Sequence, residues 1–552
     1  MSTAVSYRRA PLVDPAYATL SDAAVNAAGL QKVLTDRVLK MVDLDQMTAL
    51  DATLATKLGG YTQTPPVPDV EAAAQHAAEA PVHFVETCRA AAMIAAMNRD
   101  KPAMLRVLDA LRTFMQVMPV MSEEQLFMIG ADALRLCIDL YRRTGQPFLL
   151  DVLEQLRSRL PDVSGLMHSF PFQTEFQPDT AAHAPQEQAY YDRMQRFATG
   201  KLMADSLSMS ALLSQYSGSG REAAAAKTGL TALARYHGMP SGAFSADPYL
   251  AGRDPARAVE LSAVCAQAEA LLDALCASGD PAMAEKLEML LVNVLADVVE
   301  ENGIRTMSPT NRLADDDSCT VVEPVREDVS ALLRALYAVR RSVWLSRDDD
   351  TIAYMMPVSG GCLTRLGGVP VRFTAQVSGV FQQRVDIRVE CRQPVSCTLQ
   401  VRIPSYADAA QLSLNGGQAQ AVNQGQMQQI RRTFQNGDVI TLMLSLSPRL
   451  ETGYRSSASI YVGAQLMALS LPDTEAGWRY AILRSLPMTS VEENGVPYAL
   501  LTACEAPQWR EKAGFILPPP QDVAPGAAYE LTLIPFAGTC GRIAAFPCVL
   551  ER

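Results

Sequence analysis

The sequence predicts a multidomain protein of α and β parts. Antiparallel helix pairs fill residues 1–345, an antiparallel β-sandwich follows over 346–455, and a C-terminal β domain or second sandwich closes the chain over 456–552. Three observations lead there. Helical apolar periodicity, broken by short Gly/Pro turns, repeats through the first part, at Thr144-Gly145, Ser217-Gly-Ser-Gly220 and Ser278-Gly-Asp-Pro281. Near Arg341 the period changes, and from Thr351 short alternating runs take over. At 552 residues the chain is long enough for two or three cores.

Taken in order, residues 1 to about 20 read as irregular, with Pro11 and Pro15. Ser21-Asp22 opens an amphipathic helix carrying Val25, Leu30, Val33, Leu34, Val38 and Met41. A loop at 59–69 separates it from Val70 to about Leu160, which is almost all helix. Ser122-Glu-Glu-Gln125 is a capping box, its Ser and Gln placed to satisfy each other's backbone N–H; Gln146-Pro147 starts the next helix. Pro161 to Ala198 gathers His168, Phe170, Phe172, Phe176, His183, Tyr190, Tyr191 and Phe197. Such rings suit the flat CH faces of a sugar and equally suit the anchoring of a long loop. In the second part, 371–377, 385–391, 397–403 and 439–444 alternate as strands, with turns at Asn415-Gly416-Gly417 and Asn436-Gly437-Asp438. A further strand at 458–463 and closing runs from Tyr529 and Gly541 complete the β parts.

A net charge of −11 leaves no electrostatic footprint for nucleic acid or an anionic membrane. No run of about 18 apolar residues predicts a membrane span, and the first residues lack a signal peptide's apolar core. The 11 cysteines are scattered and form no CxxC pair, which suits reduced thiols in a cytoplasmic protein.

The stretch from Tyr236 to Cys265 is the place to look for chemistry. Gly238, Pro240, Gly242, Pro248 and Gly252 exclude regular structure from its first half. Asp254-Pro255 reads as an N-cap followed by Pro at the first helical position, and Leu261, Val264, Cys265, Ala268, Leu271, Leu272 and Leu275 continue at helical spacing. Glu260 then lies near a helix N-terminus, where the dipole favours negative charge. Asp247 and Glu260 suit the two-carboxylate chemistry of glycosidases, which places its carboxyls roughly 5 Å or 6.5–9.5 Å apart. His237, Tyr249 and Arg253 add donors, acceptors and a ring for a substrate. The plainer reading is a helix start with solvated acids and a structural histidine.

The same stretch resembles the β-L-arabinofuranosidase family, glycoside hydrolase family 127. The likeness rests on Tyr236-His237-Gly238, Gly242, Phe244-Ser245, Asp247-Pro248, Leu250-Ala251-Gly252, Pro255 and Glu260-Leu261-Ser262-Ala263, in order and spacing. The closing runs resemble the family's terminal strands, so the likeness covers roughly residue 120 to the end. It implies that the helix pairs close into an α/α toroid. It also implies a cysteine thiolate nucleophile on zinc, held by Glu-x-Cys and Cys-Cys ligands, with a separate glutamate as acid/base. Position by position, this chain departs. Glu260 keeps the carboxylate, but Ser262 stands for the next ligand. The Cys-Cys pair resembles Ser318-Cys319 in Asp315-Asp316-Asp317-Ser318-Cys319, so Ser318 stands where the nucleophile would be. Pro248 stands where the acid/base would be. Glu260 and Cys319 are remnant ligands, and a serine hydroxyl does not replace a soft thiolate. No bound zinc and no other cofactor is expected.

The expectation is a glycoside hydrolase-like protein that acts on or binds glycans, with Asp247, Glu260 and Ser318 as candidate catalytic residues and His237, Tyr249 and Arg253 as substrate-binding ones. The alternative is a non-catalytic carbohydrate-binding or scaffold protein that keeps the fold. Carbohydrate is the expected partner, nucleic acid and membrane are not, and a homo-oligomer is left open. The site is expected where the Tyr236–Glu260 loop meets Ser318-Cys319, at one mouth of the toroid.

Overall fold

The structure is a computed structural model that describes residues 12–20, 25–42, 47–60, 63–178, 184–312, 317–471, 479–483, 488–505, 510–511, 514–515 and 527–549. Six helices pack side by side in a closed ring: Ala49–Lys57, Pro81–Asn98, Glu123–Thr144, Gly200–Ser217, Leu261–Ser278 and Arg326–Val343, which returns to the first. An outer layer backs them, with Lys101–Val117, Phe148–Arg159, Gly220–His237, Pro281–Met289 and Gly29–Lys40 each packed on an inner partner. This is the α/α toroid. The expected turns deliver it: Gly145 and Gly279 end inner helices in the left-handed conformation, at φ 64° and 69°, which glycine adopts without strain. Ser122 and Gln125 form the expected capping box. The Leu261–Ser278 helix has the length and, at 1.3, the mean hydropathy of a membrane span, but it is mostly buried as a wall of the ring.

Two sheets follow as a sandwich. One orders Ala18–Thr19, Trp344–Asp348, Thr351–Tyr354, Val395–Arg402 and Met427–Phe434. The other orders Gln420–Ala421, Ala409–Leu414, Val439–Ser445, Gln382–Cys391, Val369–Ser378, Gly360–Leu366 and Val25–Ala27. Alternate side chains such as Val371, Phe373, Val385, Ile387 and Val389 point inward and are buried. Thr351–Tyr354 pairs with Val395–Arg402 in parallel, an exception within the antiparallel sandwich. A third sheet, led by Pro448–Thr452 on Ala458–Val462, is built largely from the C-terminal part. Its first strand starts before residue 456, because that hairpin keeps both strands in one sheet.

Three sequence expectations change here. The N-terminal segment is not simply irregular: Ala18–Thr19 and Val25–Ala27 cover edge strands of the sandwich. The first helix therefore starts at Gly29, and Val25 is a strand residue whose carbonyl accepts from Arg340 Nε at 2.9 Å. Ser21 and Asp22 lie outside the described residues. Asp254-Pro255 caps a turn rather than a helix, its carboxylate accepting from Ala256 N at 2.9 Å. The helix begins only at Leu261, because Val259 and Glu260 are first spent on β-bridges to Ala246 and Met307.

Candidate active site at the mouth of the toroid

The N-terminal ends of neighbouring inner helices gather on one face of the ring. Glu124, in the first turn of one, pairs at 2.9 Å with Arg196, just before the next. Ser330 donates to Asp51 at 2.6 Å, joining the starts of two more. Glu260 is the residue just before the Leu261–Ser278 helix, without a side-chain capping bond, and its carboxyl feels the charge of Asp328 in the first turn of Arg326–Val343.

The Tyr236–Glu260 loop covers part of this face. It is laced by bridges of Ala246 to Leu250 and Val259, and of Tyr249 to Thr199. Gly200 must be glycine for this: a Cβ there would stand 2.5 Å from the Ala246 Cβ and 2.7 Å from that of Ala263. The Asp247-Pro248 peptide is cis.

Asp247 and Glu260 are brought together by the Ala246–Val259 bridge. Burial holds the Asp247 carboxyl above its usual range, against a backbone hydrogen bond at Ala258, and the charge of Glu260 raises it further. Arg257 lies 3.5 Å from Asp247 Oδ2, but it also pairs with Glu175. Burial likewise raises the Glu260 carboxyl, and a hydrogen bond from Ser262 opposes the rise. Both carboxyls are half-buried, so each can reach solvent or a ligand.

The other sequence candidates go elsewhere. His237 is fully buried with both ring nitrogens engaged: Nε2 donates to Phe172 O at 2.7 Å and Nδ1 accepts from Gly252 N at 3.0 Å. That pattern fixes the neutral tautomer and makes His237 a clamp between two loops, not a substrate ligand. Tyr249 stays at the loop surface, its hydroxyl bonded by Gln195 at 2.7 Å and its ring against Phe176. The run Phe170, Phe172, Phe176 is a chain of ring contacts, with Phe170 and Phe172 buried, so this part of the aromatic cluster anchors the loop. His183 lies outside the described residues. Arg253 lines a different cavity, treated below.

Ser318 and Cys319 sit on a short helical turn whose carbonyls accept from Arg312 at 3.2 Å and Arg305 at 3.2 Å. Both arginines belong to a buried cluster around Asp297. Burial and a hydrogen bond with Cys540 push the Cys319 thiol up to about 12. Asp315 and Asp316 lie outside the described residues. The donor set does not fit a structural zinc: Ser262 spends its hydroxyl on Glu260, and Cys319 is engaged with Cys540 as a thiol. Among the described residues, no group of three or more His, Cys, Asp or Glu is placed to hold a metal ion.

The sequence reading missed the lumen. Asp132 accepts from Arg89 at 2.5 Å, Arg135 at 2.6 Å and Arg334 at 2.7 Å, from three inner helices. Arg135 continues to Asp273 at 2.6 Å, Arg334 to Glu86 at 2.5 Å. Lys201, at the start of its helix, pairs with Asp205 at 2.8 Å while keeping 55% of its side-chain surface exposed. A signal was present: Glu269 and Asp273 interrupt an Ala/Leu-rich helix four residues apart, on one face.

Comparison with known proteins agrees with this architecture. Residues 362–446 match the family model described as β-L-arabinofuranosidase, GH127 middle domain. A solved structure named a glycoside hydrolase superposes with TM-score 0.71 at 12% identity, covering 97% of this chain and 98% of the other. A GH127 β-L-arabinofuranosidase from Geobacillus stearothermophilus T6 gives 0.61 at 14% identity, covering 94% and 90%. A GH127 β-arabinofuranosidase gives 0.59 at 12% identity, covering 97% and 98%. No curated protein matches in sequence. The fold and the middle domain of this chain are thus similar to those of the GH127 β-L-arabinofuranosidases, across almost its whole length.

Proposed function

We propose that the chain acts on glycans as a glycoside hydrolase-type protein whose working groups are Asp247 and Glu260 rather than a metal-held thiolate. One observation carries this reading: two half-buried carboxyls at the toroid mouth, brought together by the bridge between their neighbours Ala246 and Val259, are both held above their usual range. Asp247 is the proton holder, because burial and the charge of Glu260 both favour its neutral form. Glu260 accepts from Ser262, which favours its anion against burial and the charge of Asp328, so it is assigned as the base or nucleophile. Burial raises both carboxyls alike, so the hydrogen bond from Ser262 is what separates base from acid in this two-carboxylate reading. The likeness to β-L-arabinofuranosidases makes aryl arabinofuranosides the first substrates to try. The free thiols support a cytoplasmic location as part of this reading.

Hydrolysis of 4-nitrophenyl glycosides by the full chain tests it. Asp247→Asn and Glu260→Gln should each lower kcat by about 10²–10⁴-fold with the fold intact. Unchanged turnover in both variants would end the carboxylate assignment. A second reading, sugar binding without turnover, is favoured by the engagement of the Ser318–Cys319 turn in a structural cluster. It predicts saturable binding and no hydrolysis in the parent protein.

A further inference from the structure

A cavity lies against the outer helices Gly220–His237 and Pro281–Met289, where the helical part meets both β parts. Its volume is about 700 Å³, within the ~300–1,000 Å³ of small-molecule sites. Arg253 and Lys286 reach it from the helical part, Tyr406 from the sandwich, and Arg449, Ser459 and Tyr461 from the C-terminal sheet. Asp247, Tyr249 and Glu260 do not line it.

Its wall carries three cations, Arg253, Lys286 and Arg449, against three acids, Glu285, Asp408 and Glu451, but two of the acids are already engaged. Glu285 is taken by Arg402 at 3.1 Å and by Ser405 N at 2.8 Å. Glu451 is taken by Arg449 Nε at 3.1 Å, and the Arg449 guanidinium lies 4.8 Å and 5.7 Å from the rings of Tyr461 and Tyr406. Asp408 is exposed, at the rim. Arg253 and Lys286 differ from these. Among the described residues neither has a hydrogen bond or ion pair; burial holds the Lys286 ammonium below its usual range, and the charges of Glu285 and Glu451 oppose that fall, as a bound anion would. Among the described residues, Arg253 Nε and Ser459 Oγ are buried atoms with no hydrogen-bond partner. Each such buried donor costs about 1–3 kcal/mol unless a water or a ligand satisfies it, and here both belong to residues of the cavity wall.

We propose that this cavity is a binding site for a saccharide that carries an anionic group, a carboxylate or a phosphate. Arg253 and Lys286 take the anion. The buried Ser459 hydroxyl and the tyrosine-lined wall take the sugar body, which an inorganic anion would leave mostly unfilled. The site stands apart from the mouth and does not depend on the hydrolase reading.

Calorimetric titration of the full chain tests it with four probes: D-glucuronate, glucose 6-phosphate, glucose and inorganic phosphate. The expected result is binding of an anionic sugar at least about tenfold tighter than glucose and than phosphate; whichever anionic sugar is preferred names the anion. Lys286→Met and Arg253→Gln should each weaken it about tenfold or more, and Ser459→Ala by less. Lys286→Met should leave glycoside hydrolysis unchanged, and Asp247→Asn should leave the titration unchanged. Equal binding of glucose, inorganic phosphate as tight as glucose 6-phosphate, no binding of any probe at millimolar concentration, or indifference to Lys286→Met would overturn the proposal.

Discussion

Asp297 and the pair Asp247–Glu260 are carboxylates in opposite circumstances. Asp297 is completely buried, yet its carboxyl lies below the usual range: burial pushes it up, but Arg542 at 2.6 Å and Arg312 at 3.1 Å outweigh burial. Asp247 and Glu260 are only half-buried, yet both lie above it. The difference is in the partners. Around Asp297, Arg312 and Arg542 exchange backbone hydrogen bonds at 3.0 Å and 2.8 Å, so a loop of the helical part bridged to the C-terminal strand Arg542–Ile543 carries their guanidinium groups to the same carboxylate. At the mouth, the nearby cation is shared with Glu175 and the neighbours are further acids. Depth of burial alone therefore does not set a carboxyl's protonation; the charges that compensate it do.

The largest effect should come from breaking the compensated site. Asp297→Ala strands two buried guanidinium groups, and removing one partner of a buried ion pair costs about 3–5 kcal/mol. Denaturant unfolding should show that loss, a large part of the ~5–15 kcal/mol typical of a domain. A loss below about 1 kcal/mol would mean that the cluster is not what joins the toroid to the C-terminal sheet.

Acid should act on the same site next. The folded Asp297 carboxyl lies below its unfolded value of 3.8, so its contribution is complete above that pH and fades as pH falls through the lower folded value. Ser308→Ala removes a 2.7 Å hydrogen bond to this carboxylate and should cost about 1.5–3 kcal/mol at neutral pH. The cost should shrink in acid, as the carboxyl protonates.

How much of this was legible follows from the range of the forces. Ser122-Glu-Glu-Gln125 and Ser278-Gly-Asp-Pro281 mark helix ends because capping is decided within four residues. The strands at 371–377 and 385–391 show because alternation records one buried face. Asp247 and Glu260 could be picked out as a pair from one loop. What failed was settled by distant partners. His237 is claimed by Phe172, 65 residues away. Cys319 is claimed by Cys540, and Arg542 by Asp297, 245 residues away. The short N-terminal strands take their conformation from Trp344–Asp348 and Gly360–Leu366, so nothing local could reveal them.

At the mouth the linkage sign reverses. Asp247 and Glu260 have folded values above their unfolded ones, so the native state binds more protons and stability falls as pH rises through the window from 3.8 and 4.5 upward. Neutral replacements should remove that penalty. Asp247→Asn should hold or raise the unfolding free energy at pH 8, by less than about 1 kcal/mol, while activity falls. Lower stability at pH 8 would show that Arg257 compensates Asp247 after all.

The smallest effect should be Ser262→Ala. The Ser262 hydroxyl donates to the Glu260 carboxylate and so favours its anion, the same bond that Ser308 makes to Asp297. At Asp297 two arginines keep the anion in place without the serine, so deletion there registers as lost stability. At Glu260, among the described residues, no cation stands behind the serine, and burial already pushes the carboxyl up. Deletion should therefore raise the Glu260 carboxyl further, by about one pH unit or less, since one unit corresponds to about 1.4 kcal/mol. It should change the unfolding midpoint little. The acidic limb of the pH–rate profile should move to higher pH by that amount, as should the Glu260 titration followed by carboxyl NMR. A shift to lower pH would mean that the hydroxyl bonds the protonated acid instead, and Glu260 rather than Asp247 would then be the proton holder.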